Sequence, residues 1–187
     1  MKVLKLPLAL LMILGLLFAS CGDDDDPEIP NEEEVITTLT YTLSPADNGP
    51  DVDLIFQDLD GDGGNAPTIT GGTLAANTTY TGSLTFLNET ESPAEDITEE
   101  IEEEDEEHQV FFQTSITGLS VAYNDTDPNG NPIGLSTTVT TGDSGSGTLT
   151  IILRHEPNKS AAGVSDGDII NAGGETDIEV SFPVTVQ

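Results

Sequence analysis

The C-terminal stretch Ile178-Glu179-Val180-Ser181-Phe182-Pro183-Val184-Thr185-Val186 alternates apolar and polar side chains with a period of two. Ile178, Val180, Phe182, Val184 and Val186 share one parity, and side chains on an extended chain alternate between its two faces. The expected element is a half-buried β-strand. Pro183 has no N–H to give to a ladder, so it is expected at an edge or a bulge.

The same period recurs upstream. Leu149, Ile151 and Leu153 form one set, and His155 continues their parity toward the sheet rim. Val110 and Phe112 form another, as do Leu39, Tyr41 and Leu43; Val52, Leu54 and Phe56; Tyr80, Leu84 and Phe86; and Leu119, Val121 and Tyr123. The chain carries 24 Thr, a residue suited to the wetted face of a pleated sheet. Clusters rich in Gly, Pro, Asp and Asn separate the runs, at 45–50, 60–67, 125–134, 142–147 and 171–174. Seven or eight short strands joined by such loops predict an all-β fold, an antiparallel Ig-like β-sandwich over residues 35–187. The chain has no Trp and one Cys, so the core of a true immunoglobulin domain is excluded.

One segment breaks the period. Ser92-Pro93-Ala94-Glu95 reads as a capping box with Pro at the first helical position, and Ile97 and Ile101 stand one turn apart. A helical insertion of about four turns is expected over residues 93–108. It holds ten carboxylates between Glu95 and Glu107 and no cation. Like charges four apart on a helix repel at roughly 0.2–0.5 kcal/mol per pair, so the segment works against itself unless positive charge sits beside it. Glu100, Glu104 and His108 fall on one helical face. A Glu and a His one turn apart, with a second Glu behind, form a donor set for a transition metal such as Zn²⁺, and His155 is the further candidate ligand. The competing expectation is a solvated acidic insertion that frays.

Two other stretches carry candidate chemistry. Asp58-Leu59-Asp60-Gly61-Asp62-Gly63 has the oxygen spacing of the opening of a calcium loop, which makes Asp58, Asp60 and Asp62 candidate Ca²⁺ ligands. Position twelve is Ile69 rather than a bidentate Glu, so this is not an EF-hand. Asp125-Thr126-Asp127-Pro128-Asn129-Gly130 repeats the spacing and has Ser136 at that position. The blander reading of both is a turn rich in Asp and Gly. The run Arg154-His155-Glu156-Pro157-Asn158-Lys159 holds two of the chain's four cations. It is expected to meet the acidic helix, or to grip an anionic ligand through Arg154 and Lys159; the blander reading is a strand-end salt bridge.

Length and charge bound the function. The 187 residues suffice for one ordinary domain, and 35 acidic against 4 basic side chains give a net charge of −31. That charge excludes unassisted binding of nucleic acid, which needs Lys and Arg to displace counterions. No Ser, Cys or carboxylate pair stands out as catalytic machinery, and the expectation is a protein that is not an enzyme.

The N-terminus gives an address. Lys2 and Lys5 precede a thirteen-residue apolar run over 6–18, too short to span a bilayer of about 30 Å hydrocarbon. Leu17-Phe18-Ala19-Ser20-Cys21 resembles a bacterial lipobox, with Phe18 where Leu is usual. The resemblance implies a lipoprotein signal peptide over 1–20 and a lipidated Cys21; the alternative is ordinary cleavage that leaves a free thiol. Cys21-Gly22-Asp23-Asp24-Asp25-Asp26 resembles the acidic export tag of Bacteroidota lipoproteins. Residues 21–34, rich in acid and Pro, are expected to form a disordered tether.

With that tag, the Asp58–Asn65 run and the Glu-rich segment ending at His108 and Gln109, the chain resembles the small lipoproteins of Bacteroidota found beside TonB-dependent receptors. The resemblance implies a lipid anchor in the cell outer membrane, a body facing the exterior and an accessory role in receptor-mediated uptake of a metal ion or small nutrient. The expected function is therefore a non-enzymatic binding module with Ca or Zn as candidate ions. The alternative is a structural or adhesive surface lipoprotein whose acidic loops serve only solvation.

Overall fold

Alternating sequence is organised into two facing sheets. A computed structural model describes residues 34–61 and 63–187; the expected signal peptide, Cys21, the tether through residue 33 and Asp62 lie outside them. The first sheet is built from β1 (Thr38–Pro45), β2 (Val52–Gln57), β3 (Thr68–Thr70), β5 (Thr79–Asn88), β6 (Glu95–Asp96), β8 (Ser120–Tyr123) and β9 (Ser136–Thr140). Its order is β3-β2-β1-β5-β9-β8, with β6 a short addition to β5. The second sheet has the order β4-β11-β10-β7, from β4 (Gly72–Leu74), β7 (His108–Thr114), β10 (Gly145–His155) and β11 (Glu175–Val186). All pairings are antiparallel except β4 with β11. Eight of these strands have four or more residues; β3, β4 and β6 have two or three. The fold is an all-β sandwich.

The core lies where the alternating faces meet. Leu39, Tyr41 and Leu43 of β1 and Leu84 and Phe86 of β5 are buried against the same cluster as Leu149, Ile151 and Leu153 of β10 and Val180, Phe182, Val184 and Val186 of β11. Tyr41 is held there because its phenol hydrogen-bonds Thr137 Oγ1 at 2.7 Å, which satisfies the one polar atom it buries. The chain switches sheets at Gly71, between β3 and β4, where a Cβ would lie 2.0 Å from the Pro183 carbonyl oxygen. Pro183 lies inside β11 and just before the three residues that pair with β4, so its missing N–H falls outside that pairing.

The acidic insertion is shorter than its sequence pattern suggests. α1 spans Ile97–Glu103, and its N-cap is Asp96, which accepts the Thr98 N–H at 3.1 Å. Glu95 belongs to β6 and Asp96 is the N-cap, so the expected capping box does not open the helix. Ile97 and Ile101 are both buried, as their spacing predicts, and Thr98 Oγ1 bonds the Phe86 backbone in β5. Beyond Ile101 the next apolar side chain is Val110, and every residue from Glu102 to Glu107 is acidic. With nothing more to bury and like charges accumulating at its negative end, the helix stops.

A loop over 156–174 covers the outer face of the second sheet. Phe111 of β7 and Ile152 of β10 are buried there with Val164 and Ala172 of the loop. Gln109 Nε2 donates to the Val164 carbonyl at 2.9 Å and fastens the loop to β7.

Candidate metal centre

The two histidines of the chain are cross-strand partners. His108 begins β7, His155 ends β10, and the register sets one opposite the other. Both share the inward parity of Val110 and Leu153. Opposed side chains on one sheet face are close enough to touch, and here the rings stack with centroids 4.6 Å apart and planes 18° apart. His108 is fully buried and His155 is 6% exposed.

Hydrogen bonding determines which nitrogen of His108 is free. Its Nδ1 stands 3.2 Å from the Glu104 carbonyl oxygen. A carbonyl only accepts, so Nδ1 carries the proton and the neutral ring keeps its lone pair on Nε2. That Nε2 lies 3.0 Å from Glu34 Oε1. At that distance a protonated ring forms an ion pair with Glu34, whose other oxygen, Oε2, is buried without a hydrogen-bond partner. A lone pair facing a carboxylate in a dry site is repulsive unless a proton or a cation lies between them. Burial works to push the His108 imidazolium down, yet Glu34, the Glu104 carbonyl and Asp177 outweigh it and leave the pKa raised.

Asp177 arrives through a β-bulge. Leu153 pairs with Ile178, whereas Arg154 pairs with Thr176, so Asp177 is the extra residue of β11. A bulge re-aims a side chain that strict alternation would send outward. One carboxylate oxygen of Asp177 comes within 4.8 Å of the donor atoms of Glu34 and His108. Two further groups meet the same limit: Glu104, His108 and His155; and Glu107, His155 and Glu156. Borderline divalent metals bind such mixtures of imidazole and carboxylate, and the surrounding acids favour a cation. Glu100 stands in the same field, its carboxyl raised by partial burial and then by Glu95, Glu34, Glu104 and Glu103.

The structure thus brings together three of the four residues expected as transition-metal ligands, Glu104, His108 and His155, although Glu104 lies past the helix end. Glu100 belongs to none of the three donor groups among the described residues. Glu34 and Asp177 join His108 in one of these donor groups and were not foreseen. Glu34 ends a run of three Glu that reads as tether, and Asp177 has the parity of a solvated residue. No local signal marks either one.

The other candidates are used structurally. Asp58 Oδ1 accepts the Gly61 N–H at 3.0 Å. Asp60 Oδ2 accepts from the backbone N–H and side-chain amide of Asn65, and these bonds hold its pKa below the usual carboxylate range. Among the described residues neither joins a group of three potential ligands. Asp125 accepts from Gly134 N–H and Ser136 N–H, so the second calcium-like stretch is a loop clamp. The expectation that Lys159 grips a ligand is corrected: its ammonium is buried, donating to the Asp105 carbonyl and, at 3.3 Å, to Asp127 Oδ2. Arg154 Nη1 donates to the Gly174 carbonyl at 3.1 Å. The loop does meet the acidic segment, since Glu156 N–H also donates to the Glu107 carbonyl.

No protein-family model matches the chain, and no curated protein matches it. Among solved structures it is similar to the crystal structure of the S-layer protein SbsC domains 4 and 5, at 16% identity over 78% of this chain and 75% of that chain, with a TM-score of 0.30.

Proposed function

We propose that the chain is an outer-membrane, surface-exposed lipoprotein that acts as a non-enzymatic binding module and takes a divalent transition-metal ion at His108, accessory to receptor-mediated uptake. The observation that carries the metal reading is the buried convergence of His108 Nε2 on the Glu34 carboxylate at 3.0 Å, with an Asp177 oxygen in the same group. An ion there would take the place of the proton that the pair otherwise shares, with Glu34, His108 and Asp177 as its protein ligands. The anchor and the address rest on Cys21 and the Asp23 to Asp26 run. The TonB-dependent receptor is the partner that the lipoprotein resemblance implies.

Thermal melts of the purified chain test this reading. Zn²⁺, Mn²⁺, Ca²⁺, Mg²⁺ and a chelator are compared at matched ionic strength. A ligand that binds only the folded state at 100 times its dissociation constant adds about 2.7 kcal/mol, a shift of several degrees for a domain of this size. The expected result is a selective upward shift with Zn²⁺ or Mn²⁺ that His108→Ala abolishes. Equal small shifts with every divalent ion would mean screening alone and leave the structural or adhesive reading in its place.

A further inference from the structure

We propose that the histidine stack serves two metal ions rather than one, an inner ion on His108 with Glu34 and Asp177 and an outer ion on His155 with Glu107 and Glu156. The inference rests on His108 being a metal ligand, as argued above. The two donor groups share no residue, and within each the donor atoms lie within 4.8 Å of one another.

The stack itself opposes a shared ion. An imidazole binds a metal in the plane of its ring, about 2.0–2.1 Å from the nitrogen. Here the ring planes are only 18° apart and the centroids 4.6 Å apart. An ion lying in one plane at bonding distance is therefore far out of the other. The group of Glu104, His108 and His155 becomes a single site only if one ring leaves the stack. Separate ions leave both rings where they are.

His155 carries the outer half independently. Its Nδ1 is buried without a hydrogen-bond partner, in a side chain 8% exposed. Its Nε2 is 3.8 Å from Glu107 Oε2. That is longer than a hydrogen bond and shorter than the ~4.2 Å that two bonds of about 2.1 Å to one ion span end to end. Glu156 is held beside it at φ +49°, a conformation that costs a non-Gly residue energy. Gly174 permits this packing, because a Cβ there would lie 2.2 Å from the His155 carbonyl. Charge also favours two ions: two dications would offset four of the five carboxylate charges of Glu34, Glu104, Glu107, Glu156 and Asp177.

The ions differ in access. The outer group includes Glu107, with its side chain 58% exposed, whereas the inner one sits on a fully buried histidine beside a Glu34 side chain 8% exposed. The outer ion exchanges with solvent and the inner ion is retained.

Native mass spectrometry and calorimetric titration with Zn²⁺ count the ions on the full chain in detergent, with excess Mg²⁺ occupying weak acidic sites. Two ions of unequal affinity are expected. His155→Gln and, separately, the double variant Glu107→Gln with Glu156→Gln reduce the count to one; the second variant alters exposed side chains and so keeps the fold. His108→Gln removes the tighter ion. A single ion lost in either histidine variant would overturn the two-ion arrangement while leaving His108 a ligand. Zero ions, or two that ignore every one of these substitutions, would overturn both.

Discussion

Asp127 and Lys159 lie inside the fold with Oδ2 and Nζ 3.3 Å apart, and they set the largest single-residue effect expected outside the candidate metal centre. Asp127 also accepts the N–H groups of Asn129 and Asn131 at 2.9 and 2.8 Å. Asp127→Ala strands a buried ammonium, which costs about 3–5 kcal/mol. Lys159→Met leaves the carboxylate its backbone bonds and costs less, about 1–2 kcal/mol. Urea denaturation of both variants gives the order. Burial raises the Asp127 pKa, but the Asn131 bonds and Lys159 outweigh it, and the net shift is downward from 3.8. A lowered carboxylate contributes stability above its unfolded pKa and loses it as pH falls through the folded one. The gap between wild type and Asp127→Ala is thus flat from about pH 5 to about pH 8 and shrinks below about pH 4. At this scale the parity of β10 placed His155 correctly, whereas His108 was singled out on a helical face that the structure replaces with the start of β7. Lys159 was misjudged because composition shows a scarce cation and says nothing of whether it is buried.

At the scale of elements, period two identified every long strand except β9, whose Ser136-Thr137-Thr138-Val139-Thr140 shows one apolar residue in five. Thr137 is fully buried there and does the work of an apolar side chain once its hydroxyl pairs with Tyr41. The β11 bulge was invisible for a different reason. An extra residue shifts parity at one point, and the sequence beyond Ile178 alternates as if nothing had happened. α1 was legible in its buried stripe and misread in its length, because a capping pattern was given more weight than the absence of a third apolar residue. The helix depends on that stripe. Ile101 is fully buried, and Ile101→Ala is expected to cost about 2–4 kcal/mol by cavity formation. It also frees Glu104, whose carbonyl fixes the His108 tautomer. Weaker Zn²⁺ binding should accompany the lower melting temperature, whereas the equally buried Leu43, in β1 and outside all three donor groups, should give only the second effect when truncated.

The whole molecule is governed by charge. Residues 34–187 carry 28 acidic and 2 basic side chains, a net −26, and both cations are already bonded within the fold. Compaction brings these carboxylates closer than in the unfolded chain, so self-repulsion opposes folding and salt relieves it. The Debye length falls from about 30 Å at 0.01 M to about 3 Å at 1 M. The melting temperature is therefore expected to rise with NaCl and level off as screening drops below the spacing of neighbouring carboxylates. Replacing the exposed Glu102 and Glu103 by Gln removes like charge from the negative end of α1 and should add about 0.5–1 kcal/mol at low salt. The gain should vanish at high salt, where the curves of variant and wild type converge. A specifically bound metal behaves in the opposite sense: its stabilisation is expected to saturate at concentrations too low to change the Debye length, and to disappear with His108. The melting temperature against NaCl in the presence of chelator, repeated at one fixed Zn²⁺ concentration, separates the two. Parallel curves offset by Zn²⁺ mean a specific site, and curves that merge as salt rises mean that Zn²⁺ acted only as a counterion.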